Sequence, residues 1–254
     1  MPARSTRSSA SRWQTSAWVI VRSMNKNISI AFILLTLAST AVMARGAQGT
    51  GVYINPDGHI LTNRHVVEGG CSTLIVEDLS GVKIPASITA VSETHDLALL
   101  KSERRKGPHA FIKVNKARDE TLPPAMGEAV HIVGFPEGEF GPRGGMVTAL
   151  RDPRFGADGF TVGLSSTFGA SGSPVFDDQG LLIGLAWGIA GSGTALKAYV
   201  LRTETMLPLL KKVRVGTATI DQAPVKIKPN ESGFEHVRNI IAEGATVAVK
   251  VLCY

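Results

Sequence analysis

The chain of 254 residues has little of several things, and each shortage excludes something. Only two cysteines are present, too few for a disulfide-dense scaffold or a cysteine-built zinc site. Aromatic residues make up 6% of the sequence, while 27 glycines are spread along it. That balance suits many short strands joined by turns rather than a helical bundle. Four of the histidines, His59, His109, His131 and His236, show no metal-ligand spacing, so no metal site and no cofactor is expected. Residues 1–44 hold no acidic residue but five of the 27 basic ones, so the remainder is nearly neutral, at +1. The basic character therefore belongs to the leader, and no nucleic-acid partner is expected. Neither an internal repeat nor a low-complexity tract follows the leader.

Residues 1–44 read as a targeting segment. Met24 and Lys26 precede an apolar run from Ile28 to Ala38, and Val42-Met43-Ala44 places small residues where a signal peptidase reads. The expectation is an exported protein, periplasmic or secreted, with translation starting at Met24 and cleavage after Ala44. Retention as a membrane anchor is the alternative, though the run is short for a span. An organelle transit peptide is a third reading, which the compact apolar run fits less well.

From Gly49 onward three segments carry chemistry. Ile60-Leu61-Thr62-Asn63-Arg64-His65 follows a Pro56-Asp57-Gly58 turn; Thr94-His95-Asp96-Leu97-Ala98 comes next; Gly169-Ala170-Ser171-Gly172-Ser173-Pro174 comes last. A serine hydroxyl is a weak nucleophile at neutral pH and needs a neighbouring base. Histidine suits that task, and an aspartate on its far nitrogen fixes the tautomer. His65 is thus expected as base, Asp96 as orienter and Ser171 as nucleophile. The N–H groups of Gly169 and Ser171 are expected to form the oxyanion hole. A Gly-x-Ser-x-Gly elbow is not met, because Ser173 takes the last position, and the order His…Asp…Ser differs from that of the α/β hydrolases. His95 reads as an incidental loop residue.

Across roughly residues 49–212 these blocks resemble the trypsin-like (chymotrypsin-fold) serine peptidases, above all the exported bacterial HtrA-type domains. The resemblance implies an all-β fold of two antiparallel six-stranded β-barrels with a C-terminal helix and a short tail. It implies a serine endopeptidase acting on peptides or proteins through an acyl-enzyme. It also places Ser165 near the base of the specificity pocket, and Ala186, Trp187 and Gly188 along the substrate backbone. An uncharged Ser165 implies a lean toward apolar rather than basic residues at the cleavage site. Three departures stand out. Ser173 replaces a glycine and could crowd the turn. Ala170 replaces the aspartate used in zymogen activation. Ala186 replaces a serine that bonds the catalytic aspartate in digestive members. A trypsin-fold binding or scaffolding protein without catalysis is the rival reading, favoured by Ser173 and Ala186 and opposed by the intact triad.

The expected organisation is an N-terminal barrel over 45–101, a linker over 102–124, and a second barrel with closing helix over 125–212. A tail over 213–254 is expected to pack on the first barrel. Only five strands are legible for the first barrel, and the sixth must come from 28–44 or from the alternating segment 246–254. Phe234, Val237, Ile240 and Ile241 at helical spacing place a helix before that segment. Cys71 and Cys253 would tie the tail to the barrel if paired; two buried free thiols are the other reading. The tail is too short for a PDZ-type domain, and a monomer is expected.

Overall fold

A computed structural model describes residues 46–103, 107–110, 112–115, 120–121, 123–164, 171–192, 195–216, 219–220 and 233–254. Residues 1–45, where a leader is expected, and residues 165–170 lie outside the described residues.

The first barrel is built from β1 (Ala47–Tyr53), β2 (His59–Thr62), β3 (Leu74–Glu77), β4 (Lys83–Val91) and β5 (Ala98–Ser102). Three short strands follow or lie outside the barrels: β6 (Ile112–Asn115), β7 (Glu120–Thr121) and, much later, β14 (Thr219–Ile220). The second barrel comprises β8 (Ala129–Ile132), β9 (Arg143–Ala149), β10 (Gly159–Leu164), β11 (Pro174–Asp177), β12 (Leu182–Ala190) and β13 (Leu196–Arg202). A short helix α1 (Leu207–Lys212), a longer helix α2 (Gly233–Val247) and a last strand β15 (Ala248–Cys253) complete the chain.

The sixth strand of the first barrel is the C-terminal one. β15 lies between β1 and β3, antiparallel to both, and closes the ring β1-β15-β3-β4-β5-β2. Alternation drives this placement: Val249, Val251 and Cys253 point into the first core with Tyr53, Ile60, Leu74, Val76 and Leu100. Burying each valine contributes about 1.5–3 kcal/mol. Register is fixed by a pair directly across the ladder, Lys250 opposite Glu77, whose charges meet at 2.7 Å. Cys71 and Cys253 are joined by a disulfide, with Cα atoms 4.9 Å apart.

Pairing of β11 with both β8 and β12 closes the second ring, β11-β8-β9-β10-β13-β12. Val130, Ile132, Phe160, Val162, Val175 and Val200 fill it. A third apolar cluster, including Val52, Leu61, Leu99, Val133, Phe176 and Leu185, joins residues of both barrels.

The expected tail is divided between the two barrels. Its strand enters the first, but α2 lies against the second. Gly244 brings the helix so close to Val133 and Phe176 that an added Cβ would meet them at 3.0 and 3.1 Å. His236 on the same face meets the Asp178 carbonyl at 2.6 Å. The expected linker is not wholly irregular either: Ile112 on β6 pairs in parallel with Leu182 on β12 and Thr219 on β14.

Candidate active site

β2 ends at Thr62, and the chain turns through a single 3-10 turn, Arg64–Val66, that carries His65. Val66 and Val67 anchor this turn in the first core, while His65 is left at the rim with its side chain 41% exposed. Asn63 is fully buried, and its Nδ2 donates to the Asp96 carbonyl at 3.0 Å. Arg64 donates to the Ser92 carbonyl at 3.2 Å. The His65 turn is thereby fastened to the loop between β4 and β5 that carries Asp96.

Both Asp96 oxygens serve His65. Oδ1 accepts the His65 backbone N–H at 2.9 Å, and Oδ2 lies 2.5 Å from Nδ1. Burial pushes the Asp96 carboxyl up. The His65 ring and backbone hydrogen bonds, the imidazole's charge and the Trp187 indole outweigh it and hold the carboxyl below its ordinary value. An ionised Asp96 accepting from Nδ1–H leaves Nε2 as the free base, the tautomer that proton abstraction requires. His95, the loop residue next to Asp96, meets Asp158 of the second barrel at 3.2 Å.

Ser171 is held to the first barrel through its main chain. Thr50 of β1 donates its N–H to the Ser171 carbonyl at 2.8 Å. Gly172 donates to the Ala186 carbonyl, and Ala186 donates back to the Ser173 carbonyl, each at 2.8 Å. Gly172 has φ +83°, and a Cβ there would run into the Thr50 carbonyl and Thr62 Oγ1, so no other residue fits this approach. The Ser171 hydroxyl donates to the Trp187 carbonyl at 3.2 Å. Ser173 does not crowd the turn. It is fully buried over Gly134, whose missing side chain leaves room for its hydroxyl.

Ala186 spends both main-chain polar groups on the turn that carries Ser171, while Trp187 takes the Ser171 hydroxyl. The Trp187 ring also stands edge-on to His65, with centroids 6.3 Å apart. Of the other expected site residues, Gly188 continues β12 opposite Tyr199, and Gly169 and Ser165 lie outside the described residues. Sequence reasoning missed Thr50, Asn63 and Gly134. Asn63 stands inside the block that ends at His65, where only the histidine is given a role. The Glu128, Asp177 and Asp178 carboxylates lie within 4.8 Å of one another, but Asp177 Oδ1 already accepts from Gln179 and Leu181 N–H groups.

The family profile of the trypsin-like peptidase domain matches residues 49–185, the stretch that spans His65, Asp96 and Ser171. The chain belongs to the trypsin-like peptidase family. A probable periplasmic serine endoprotease, DegP-like, of Brucella suis is 28% identical over 194 residues, 72% of this chain and 36% of that protein. An uncharacterized protein of Sinorhizobium fredii is 36% identical over 149 residues, 56% of this chain and 22% of the relative. These matches thus span about a third or less of the relatives' own lengths. Among solved structures, the HtrA-type protease AlgW with a decapeptide has a TM-score of 0.54 at 20% identity, covering 65% of this chain and 51% of its own. The MamO protease domain from Magnetospirillum magneticum reaches 0.52 at 20% identity, over 64% of this trypsin-like chain and 94% of that one. At that identity the two structures bear on the fold alone.

Proposed function

We propose that this trypsin-like protein is an exported serine endopeptidase with His65, Asp96 and Ser171 as its triad. The observation that carries the reading is the double hydrogen bond of Asp96 to His65, at 2.9 and 2.5 Å. Such a carboxylate fixes the imidazole in one plane and one tautomer, which a structural histidine does not require.

Catalysis begins when the Ser171 hydroxyl leaves the Trp187 carbonyl and hydrogen-bonds to His65 Nε2. Oγ attacks the peptide carbonyl carbon as its proton passes to Nε2. The oxyanion is held by N–H groups of the nucleophile turn, Gly169 and Ser171. His65 then protonates the leaving amine, the C–N bond breaks, and an ester to Ser171 remains. Water, deprotonated by His65, hydrolyses that ester and restores the hydroxyl. Gly188 and the end of β12 offer the strand edge on which a peptide would lie. Export is supported by the leader and by relatives named as periplasmic.

The rival is a binding protein that has kept the fold. The orientation of Ser171, donating to Trp187 in the resting structure, favours it. Hydrolysis of a fluorogenic peptide library separates the two. The peptidase reading expects turnover that disappears in Ser171→Ala, with cleavage after apolar residues. A well-folded wild type that binds peptides and cleaves none would establish the rival.

A further inference from the structure

Beyond Trp187, β12 has one covered edge and one open edge. β13 pairs with it as far as Ala190, whereas β11 pairs with it only between Leu182 and Leu185. Ala186 then binds the turn that carries Ser171, and the Trp187 carbonyl takes the Ser171 hydroxyl. From Gly188 to Ala190 the second edge meets no strand among the described residues. The strands of this barrel pair antiparallel with one another. A peptide added in the same sense, with its scissile bond at Ser171, lays the residues before that bond along Gly188–Ala190.

The side chains beside this edge are cationic. Gly188 lies opposite Tyr199 in the ladder, and Ala190 opposite Lys197. Leu196, Ala198 and Val200 fill the second core, so Lys197 and Tyr199 project from the outer face. Their partners on β10, Gly163 and Thr161, carry no charge. Arg154 arrives from the turn between β9 and β10. Its guanidinium lies 4.1 Å from the centre of the Tyr199 ring and 4.7 Å from that of Trp187. The Trp187 ring in turn stands edge-on to His65. One aromatic side chain thus separates Arg154 from the expected base.

Arg154 is held in place but not neutralised. Phe155 braces the Trp187 ring edge-on at 5.5 Å. Buried Asp152 accepts the Arg154 and Phe155 main-chain N–H groups at 2.7 and 3.3 Å, and a bridge from Asp152 to Gly156 closes the turn. Asp158, the exposed carboxylate of the turn, is engaged by His95 at 3.2 Å. Arg154 itself is exposed, and no acceptor among the described residues meets its guanidinium. The two rings fix its plane and shed part of its hydration, while its five N–H donors stay open. That is the fork a carboxylate fits.

We infer that Arg154 is a specificity-determining residue that takes an acidic side chain, Asp or Glu, of a peptide laid along β12, on the N-terminal side of the scissile bond. Lys197, further along the same edge, adds charge of the same sign. The register of the peptide rests on the peptidase reading; the attraction of an acidic peptide to this edge does not.

The test uses the full chain and one series of peptides cleaved after an apolar residue, with Glu or Gln at successive positions before it. The best Glu peptide is cleaved with kcat/KM about tenfold above its Gln partner, the equivalent of 1.4 kcal/mol. Arg154→Gln closes that gap, and Arg154→Glu turns the preference toward Lys. Arg154→Lys, which keeps the charge but not the planar fork, retains part of it. Thermal melts identify folded samples. A second readout needs no turnover: by fluorescence anisotropy the Ser171→Ala chain binds the Glu peptide more tightly than the Gln peptide, and adding Arg154→Gln makes the two equal. Equal handling of Glu and Gln peptides by the wild type, or a gap that survives Arg154→Gln, overturns the inference and leaves the peptidase reading standing if cleavage is seen. A folded chain that cleaves nothing, yet binds the Glu peptide through Arg154, supports the inference and removes the peptidase reading.

Discussion

Thr50 donates its backbone N–H to the Ser171 carbonyl at 2.8 Å, and Thr50 is also paired across β1 with Lys250 of β15. The turn that carries Ser171 therefore rests on a strand whose other edge is covered by β15. Deleting residues 248–254 opens the first barrel between β1 and β3 and exposes Tyr53, Val76 and their neighbours. The expected outcome is loss of cooperative unfolding by circular dichroism, together with loss of Ser171 reactivity. A truncated chain that melts like the full one would contradict this role for the C-terminal strand.

The disulfide closes a loop of 182 residues between Cys71 and Cys253. Cross-links over loops of this size stabilise by roughly 2–5 kcal/mol. Cys71→Ser with Cys253→Ser is expected to lower the denaturant midpoint accordingly and to raise the denaturant slope, because the unlinked unfolded chain exposes more surface. Free-thiol labelling of the native wild type should find neither cysteine.

Gly134 and Ser173 form a reciprocal pair, since a Cβ on Gly134 would collide with the Ser173 hydroxyl and crowd Thr50 Oγ1. Gly134→Ala is expected to destabilise by about 1–3 kcal/mol, the usual cost of overpacking. Adding Ser173→Gly should recover most of that loss. The coupling is read from a double-mutant cycle in urea, and additive effects would show that the two positions are independent.

Asp96 sets a pH dependence of defined sign. Its carboxyl is held below the ordinary value near 3.9, so the folded state favours the charged form. The resulting stability is complete above about pH 4 and is lost as pH falls through the depressed folded value. The stability difference between wild type and Asp96→Asn should therefore be largest near neutrality and shrink below about pH 4. Activity of that variant should drop about 10⁴-fold, because an amide cannot enforce the required tautomer.

The blocks that carry His65, Asp96 and Ser171 and most barrel strands are legible in the sequence because each is local: a turn signal, a short alternating run, a residue of fixed chemistry. What is not legible depends on distant partners. The segment 246–254 is legible as one of two candidates for the sixth strand, but its place between β1 and β3 depends on partners distant in sequence. The same limit hides Gly134, whose need to be glycine comes from Ser173, and the Arg154 guanidinium 4.7 Å over the Trp187 ring.

The most direct measurement of the central claim is labelling of the full chain by a fluorophosphonate probe, with the adduct located by mass spectrometry. The account predicts one adduct on Ser171, absent in Ser171→Ala and strongly reduced in His65→Ala. A folded wild type that forms no adduct, or forms one equally well without His65, would contradict it.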